Sequence, residues 1–219
     1  MTRDEFITLL KQRCRREADT TLDARIISEM QYVQKYILEG GVTLPWFLLS
    51  DNVSLATVID EERVAVPVNV DAVTGKDFLR EHEESALWYY DTVGAKWVEL
   101  LKDDYDVLLA KYPSGTGTPV YYALDGDYFR LKPTPDAVLT LRIRCYLRAS
   151  LLTTNIENSW LKWAGDLMMA EVGVRIAADH LRDTALAQSF ASQITTARTR
   201  LFIIDEARKH ANRDYEMGD

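Results

Sequence analysis

Apolar residues recur every three or four positions at both ends of this chain and every second position through its middle. No other feature constrains the fold as strongly. A helix buries a stripe of period 3.6, and a half-buried strand buries a face of period two. Helical ends that bracket a strand-rich middle predict an α+β fold. Each terminal helix pair alone would expose an apolar stripe, so the two ends are expected to pack together. The expected architecture is a four-helix base formed by both chain ends, residues 1–44 and 151–219, with an inserted antiparallel β-rich domain over 45–150.

The helix signals are specific. Thr2 followed by Glu5 fits a capping box, and Phe6, Leu9, Leu10 and Cys14 then fall on one face of a helix to about Glu17. Thr20 or Thr21 can cap a second helix whose stripe is Leu22, Ile26, Met30, Val33 and Ile37, stopped by Gly40-Gly41. A third helix starts near Asn158 or Ser159 and carries Trp160, Trp163, Ala164, Leu167, Ala170, Val174, Ala177 and Leu181. A fourth starts near Asp183 or Thr184 and carries Phe190, Ile194, Ala197, Leu201 and Ile204. Leu201-Phe202-Ile203-Ile204 is apolar all round that helix, which a solvated helix should not be. The polar segment Glu206–Asp219 is expected to be an extended, fraying tail, and deletion of 205–219 to spare the fold and weaken assembly.

Between the ends, Val53–Ile59 and Arg63–Val70 read as two strands joined at Asp60-Glu61-Glu62. Leu87–Asp91 and Lys96–Leu100 flank Val93-Gly94, and Asp103–Tyr112 reads as a short helix. Val120–Leu124 and Asp127–Leu131 flank Asp125-Gly126, a pair suited to a type I′ turn. Val138–Leu147 alternates, with Leu139, Leu141, Ile143, Cys145 and Leu147 on one side and Thr140, Arg142, Arg144 and Tyr146 on the other. The last three strands are expected to form an antiparallel meander. Eight of the eleven tyrosines lie between Tyr89 and Tyr146, so the insertion is aromatic as well as strand-rich.

The net charge of −8 is unevenly spread. Residues 51–127 hold a net −10, residues 128–149 a net +4, and the helical ends are close to neutral. Such a balance argues against a protein that grips duplex DNA over a broad face, which requires clustered cations. Arg13, Arg15 and Arg16 suit a helix C-terminus, and Arg142, Arg144 and Arg148 on one strand can pair with acidic neighbours. Nothing approaches the roughly 18 apolar residues of a membrane span, and no secretory signal core is evident.

No constellation carries chemistry. His82, His180 and His210 are not spaced for a metal, and no HExxH, GxGxxG, GxSxG or P-loop is present. Two cysteines, Cys14 and Cys145, cannot build a disulfide framework and read as buried small hydrophobes, which points to a reducing compartment. The carboxylates Asp103, Asp104 and Asp106 read as a helix start, and Asp125 with Asp127 as a hairpin turn. The expectation is therefore no enzyme, no cofactor and no metal.

Several segments resemble head-to-tail adaptor proteins of tailed bacteriophages, also called neck, connector or head-completion proteins. They are LPWFLLSDNVSLATV (Leu44–Val58), VAVPVN (Val64–Asn69), YALDGDYFRLKPTPD (Tyr122–Asp136), LTLRIRCYLRASLL (Leu139–Leu152) and DLMMAEVGVRIAADHLRD (Asp166–Asp183). The order of these segments, and the Leu87–Asp91 and Trp97–Leu100 strands, also fit, so the similarity covers roughly residues 20–205. The resemblance implies a structural role in the virion neck, in a protein made in the host cytoplasm. Such adaptors form a ring, commonly of twelve copies, beneath the portal protein. They extend the DNA channel, let genomic DNA pass without sequence-specific binding, and dock tail (nozzle or tail-tube) proteins. Carried onto this chain, Leu201, Phe202, Ile203, Ile204 and Tyr215 are the portal-contact candidates. A negative channel lining would repel DNA and let it slide. Two other readings compete: a soluble module that binds protein or glycan through its Tyr-rich strands, and a metal enzyme built on Asp103, Asp104 and Asp106.

Overall fold

The computed structural model describes residues 1–41, 44–67, 78–82, 86–112 and 114–216, and the side chains of all of these except 51, 52 and 209–216. It is a mixed α+β protein of two compact units, Met1–Leu48 with Ala149–Asp219, and Leu49–Arg148.

The first unit is helical. Helix α1 (Arg3–Arg13) opens on the expected capping box: Thr2 Oγ1 accepts from Glu5 N and Glu5 Oε2 accepts from Thr2 N at 2.8 Å. Helix α2 (Thr21–Tyr32) buries Leu22, Ile26 and Met30 and widens into a π-helical turn over Val33–Leu38. The predicted third helix is two. Helix α4 (Ser159–Trp163), capped by Asn158, ends at Ala164, whose φ of −135° and ψ of 34° are not helical. Helix α5 (Gly165–Arg175) follows and ends in a second π-helical turn, Ile176–His180. Glycine at the joint is the weakest helix former after proline, so the chain turns there at small cost. Thus, among the described residues, this unit has five α-helices where the sequence predicts four. Helix α5 buries Leu167, Met168, Met169, Ala170, Val172 and Gly173, nearly all round its axis, and is touched by α1, α2, α4 and α6 (Thr184–Glu216).

The second unit is two sheets around one core. One contains β1 (Leu49–Ala56), β9 (Thr140–Leu147), β4 (Leu87–Asp91) and β5 (Lys96–Glu99) in that order, with β3 (Phe78–Glu81) beside β4 on the same edge of β9. The other runs β2 (Arg63–Ala65), β8 (Tyr128–Lys132), β7 (Tyr121–Asp125) and β6 (Leu101–Lys102). Val53, Leu87, Leu141, Ile143 and Cys145 of the first sheet meet Val64, Tyr122, Phe129 and Leu131 of the second in a continuous buried cluster. Leu100 lies between β5 and β6, where the chain crosses from one sheet to the other.

Two expected pairings and one turn type are corrected. Strands β1 and β2 do not form a hairpin: β1 pairs with β9 and β2 with β8, so the segment between them crosses between sheets. Residues 68–70 of that predicted second strand lie outside the described residues. The meander ends at β8, because β9 is flanked by β1 on one side and by β3 and β4 on the other. Pro133 and Pro135, which have no amide hydrogen, stand between β8 and β9. In the β7–β8 hairpin the loop residues are Gly126-Asp127, with φ positive at Gly126 alone, the type II′ pattern rather than I′.

Helix α3 (Tyr105–Lys111) covers the outer face of the second sheet. There Glu62 Oε1 accepts from Arg130 Nη1 at 2.9 Å and from Tyr105 OH at 3.1 Å, and its Oε2 takes Lys132 Nζ at 2.7 Å. Burial pushes the Glu62 carboxyl up. Hydrogen bonds from Lys132 and Tyr105, with the charges of Lys132 and Arg130, outweigh that push, and the net shift is downward. A carboxyl held below its unfolded value stabilises the fold above the ordinary glutamate range and loses that contribution as pH falls through the folded value. The protein should therefore lose stability below about pH 4. Glu62→Gln should flatten that part of a melting-temperature profile against pH, and an unchanged slope would remove Glu62 as its source.

Candidate functional site

Helix α6 carries three consecutive large apolar residues that are exposed, Phe202, Ile203 and Ile204. Its 33 residues span about 50 Å at 1.5 Å per residue. Its inward stripe is Phe190, Ile194, Ala197, Leu201 and Asp205, spaced by four, three, four and four. Phe190 and Asp205 are buried, at 2% and 3% exposure. The other side of the same turn is apolar and open: Phe202 is 58% exposed, Ile203 60% and Ile204 39%. Apolar exposure clustered on one turn, rather than scattered singly, is surface that a partner could cover.

The five candidate residues are not equivalent. Leu201 faces the helical unit and separates two grooves. A groove of about 340 Å³ holds Leu201 and Phe202 with Ile37, Leu38, Trp160 and Leu167. A groove of about 270 Å³ on the other flank holds Leu201 and Ile204 with Met1, Leu161, Trp163 and Ala164. Ile203 stands between them on the open face, beside Thr199 and Thr196. Tyr215 belongs to the last turn of α6, and its side chain lies outside the described residues.

Sequence reasoning missed what holds this turn in place. Asp205 Oδ1 accepts from the backbone N–H of Trp46 at 2.7 Å. One turn later the Arg208 guanidinium lies 3.7 Å above the Trp46 ring and 5.2 Å from that of Trp163. The two indoles meet edge to face at 5.0 Å, and Phe47 continues the chain of rings to Trp160. Nearer the start of the turn, Arg198 Nη2 donates to the largely buried Glu171 at 2.6 Å. The stripe thus ends on Asp205 rather than Ile204, and α6 continues as helix to Glu216 where a tail was expected. Deletion from residue 205 would remove the Asp205 and Arg208 contacts as well as the tail, so a truncation meant to spare the fold must begin at residue 209. A carboxylate on an apolar stripe was the available signal. Its tryptophan partners are distant in sequence and left none.

Elsewhere the reactive residue types are occupied structurally. Asp103 holds Lys111 at 2.7 Å, a bond that lowers its carboxyl below the usual range. Asp125 accepts both Nε and Nη2 of Arg130. Burial pushes the Cys14 thiol up, away from thiolate, and Cys145 is fully buried. His180 lies between Glu29 and Arg25, and His82 stacks near Tyr146. The side chain of His210 lies outside the described residues. Among the described residues no three His, Cys, Asp or Glu side chains group closely enough to hold a metal ion, and no helix is long and apolar enough to cross a membrane.

The expected strand-arginine ion pair is corrected at Arg142. Its guanidinium lies 5.2 Å from the Trp88 ring and 4.7 Å from that of Trp97, with no carboxylate partner among the described residues.

No curated protein shows significant similarity to the chain. A family model described as SU10 adaptor protein matches residues 1–216, which is nearly its full length. The chain therefore belongs to the SU10 adaptor protein family, a family of phage adaptors.

Proposed function

We propose that this protein is a structural adaptor subunit of a phage neck, forming a ring, of twelve copies, that joins the portal to the tail and extends the DNA channel. The observation that carries the reading is the family match along residues 1–216. The exposed apolar turn of α6 supports a docking role, because Phe202, Ile203 and Ile204 are open to solvent in the single subunit. In this reading the helical base, residues 1–44 and 151–219, meets the portal through Leu201, Phe202, Ile203, Ile204 and Tyr215. The inserted domain, residues 45–150, faces the channel or the next tail ring. Its net −10 over 51–127 lets DNA pass without adhesion.

The test is portal binding by an α6 variant. Ile203→Asp places a charge where the proposed contact excludes water, and an unpaired buried charge costs several kcal/mol. Binding to purified portal rings should fall by about 100-fold or more, since about 2.7 kcal/mol corresponds to that ratio. Ile203 is exposed in the isolated subunit, so stability should stay within about 0.5 kcal/mol of wild type. Cosedimentation with portal rings, beside a melting curve, reads both. Binding indistinguishable from wild type would take the α6 turn out of the portal contact.

A further inference from the structure

The two outer faces of the β unit treat their cations differently. On the second sheet Arg130 is compensated within the unit: it forks onto Asp125, donates to Glu62, and is covered by the Tyr105 ring at 4.9 Å. On the first sheet Arg142 alternates with the core residues Leu141 and Ile143 and so faces away from the core. It is directly opposite Trp88, and Tyr90 is opposite Trp97, so these side chains share one face. The guanidinium between the Trp88 and Trp97 rings has an Nε shielded from solvent with no hydrogen-bond partner. The two indoles flank the cation, and among the described residues no carboxylate forms an ion pair with it; Glu99 is on the same face beyond Trp88. A guanidinium flanked by two indoles and without an ion pair, with Trp97 37% exposed, has the chemistry of an interface anchor.

The complementary chemistry lies on the opposite face of the same unit. Helix α3 turns Tyr105 and Leu108 onto the second sheet and presents the rest of its surface to solvent. Asp104 and Asp106 are exposed there, and Asp104 makes no side-chain capping bond. Val107 and Leu109 beside them are 38% and 37% exposed. One face thus carries Arg142 and two indoles, with the exposed Glu99 at its β5 border opposite Trp88; the other is acidic and apolar, and the sandwich separates them. Two different, complementary patches on opposite sides of one subunit are what a head-to-tail contact requires, and such contacts close into rings when the rotation permits.

We infer that the Arg142–Trp88–Trp97 face of one copy receives the α3 surface of the next, with Asp104 and Asp106 against the Arg142 guanidinium and Val107 and Leu109 against the indoles. The inference rests on the ring of the proposed function and names the surfaces that close it. The occupant is a second copy of this chain, because the charge and apolar pattern that Arg142 lacks is present on the chain's own far side. An acidic segment of a different neck protein is the competing outcome.

Charge exchange tests it. Full-length chain, alone and mixed with purified portal rings, is followed by native mass spectrometry. Wild type should form closed rings. Arg142→Glu should reduce the ring fraction by about tenfold or more, and Asp104→Lys with Asp106→Lys should do the same. Combining all three substitutions should restore rings, because the charges then match again. The α3 double variant alters only exposed positions, so it carries the test if Arg142→Glu fails to fold. Rings that persist in both charge variants, or that the combined variant fails to restore, would overturn the interface and leave the adaptor reading standing. Loss of the complex with portal rings in the charge variants, with this chain's own rings intact, would assign the face to the portal instead. Absence of rings in wild type under both conditions would overturn the ring itself, and this interface with it.

Discussion

Glu39→Leu should cost the protein about 3–5 kcal/mol, a large part of the roughly 5–15 kcal/mol that holds a domain folded. Glu39 is 5% exposed at the end of the first π-helical turn. Its Oε1 accepts from Trp160 Nε1 at 3.0 Å, from the Ala149 amide at 3.1 Å and from Gln34 Nε2 at 3.1 Å. Gln34 Nε2 also donates to the Ala149 carbonyl at 2.7 Å, and its Oε1 accepts from Asn158 Nδ2 at 3.0 Å. Asn158 Oδ1 in turn caps α4 through the Leu161 amide at 2.9 Å. Leucine would strand three buried donors, each worth about 1–3 kcal/mol when left unmade, and would return only about 1–2 kcal/mol of apolar burial. Glu39→Gln keeps an acceptor oxygen in place and should cost markedly less, about 1–2 kcal/mol. Urea unfolding followed by far-ultraviolet circular dichroism separates the two. A leucine variant within about 1 kcal/mol of wild type would show that the network is not what joins the two ends of the chain.

That network also shows where sequence reading stops. The capping box at Thr2, the α2 stripe, the alternation of β9 and the burial of both cysteines are local or periodic signals, and all are visible in the order of residues. The π-helical turn is not. It adds a residue to the helical repeat and so brings Gln34 inside with Val33 and Leu38, where a regular 3.6 period points to Ile37. Strand partners are likewise silent. The period of two says which side of β1 or β9 is buried, but the hydrogen-bonding edges carry no side-chain signature, and adjacency in sequence suggested two pairings that the sheets do not make. In the α6 turn the exposed apolar residues were legible because three large side chains in succession cannot share one helical face. The Asp205 and Arg208 contacts were not, because Trp46 and Trp163 are distant in sequence.

The second large effect is expected at Gly173, where α6 meets α5. Glycine inside a helix costs about 1 kcal/mol against alanine, so its presence in the middle of α5 calls for a packing reason. Phe190 provides it: a Cβ at residue 173 would lie 2.5 Å from Phe190 Cδ1 and 2.6 Å from its Cγ. These atoms belong to the root of a ring that is 2% exposed and cannot swing aside cheaply. Gly173→Ala should therefore be destabilising despite its better helix propensity, because overpacking by about 1–3 kcal/mol exceeds the gain of about 1. Gly173→Leu should cost about 3 kcal/mol or more and lift α6 from α5, carrying Leu201, Phe202 and Ile203 with it, so the proposed portal binding should fall although none of the proposed contact residues has changed. Phe190→Ala alone should cost about 3–5 kcal/mol through the space it leaves. The two changes are compensatory in volume, so the Gly173→Leu, Phe190→Ala double variant should be more stable than the sum of the single losses by about 1–3 kcal/mol. Strict additivity in that cycle would mean that the ring and the glycine do not share one site, and that α6 is held mainly by its later contacts at Asp205 and Arg208.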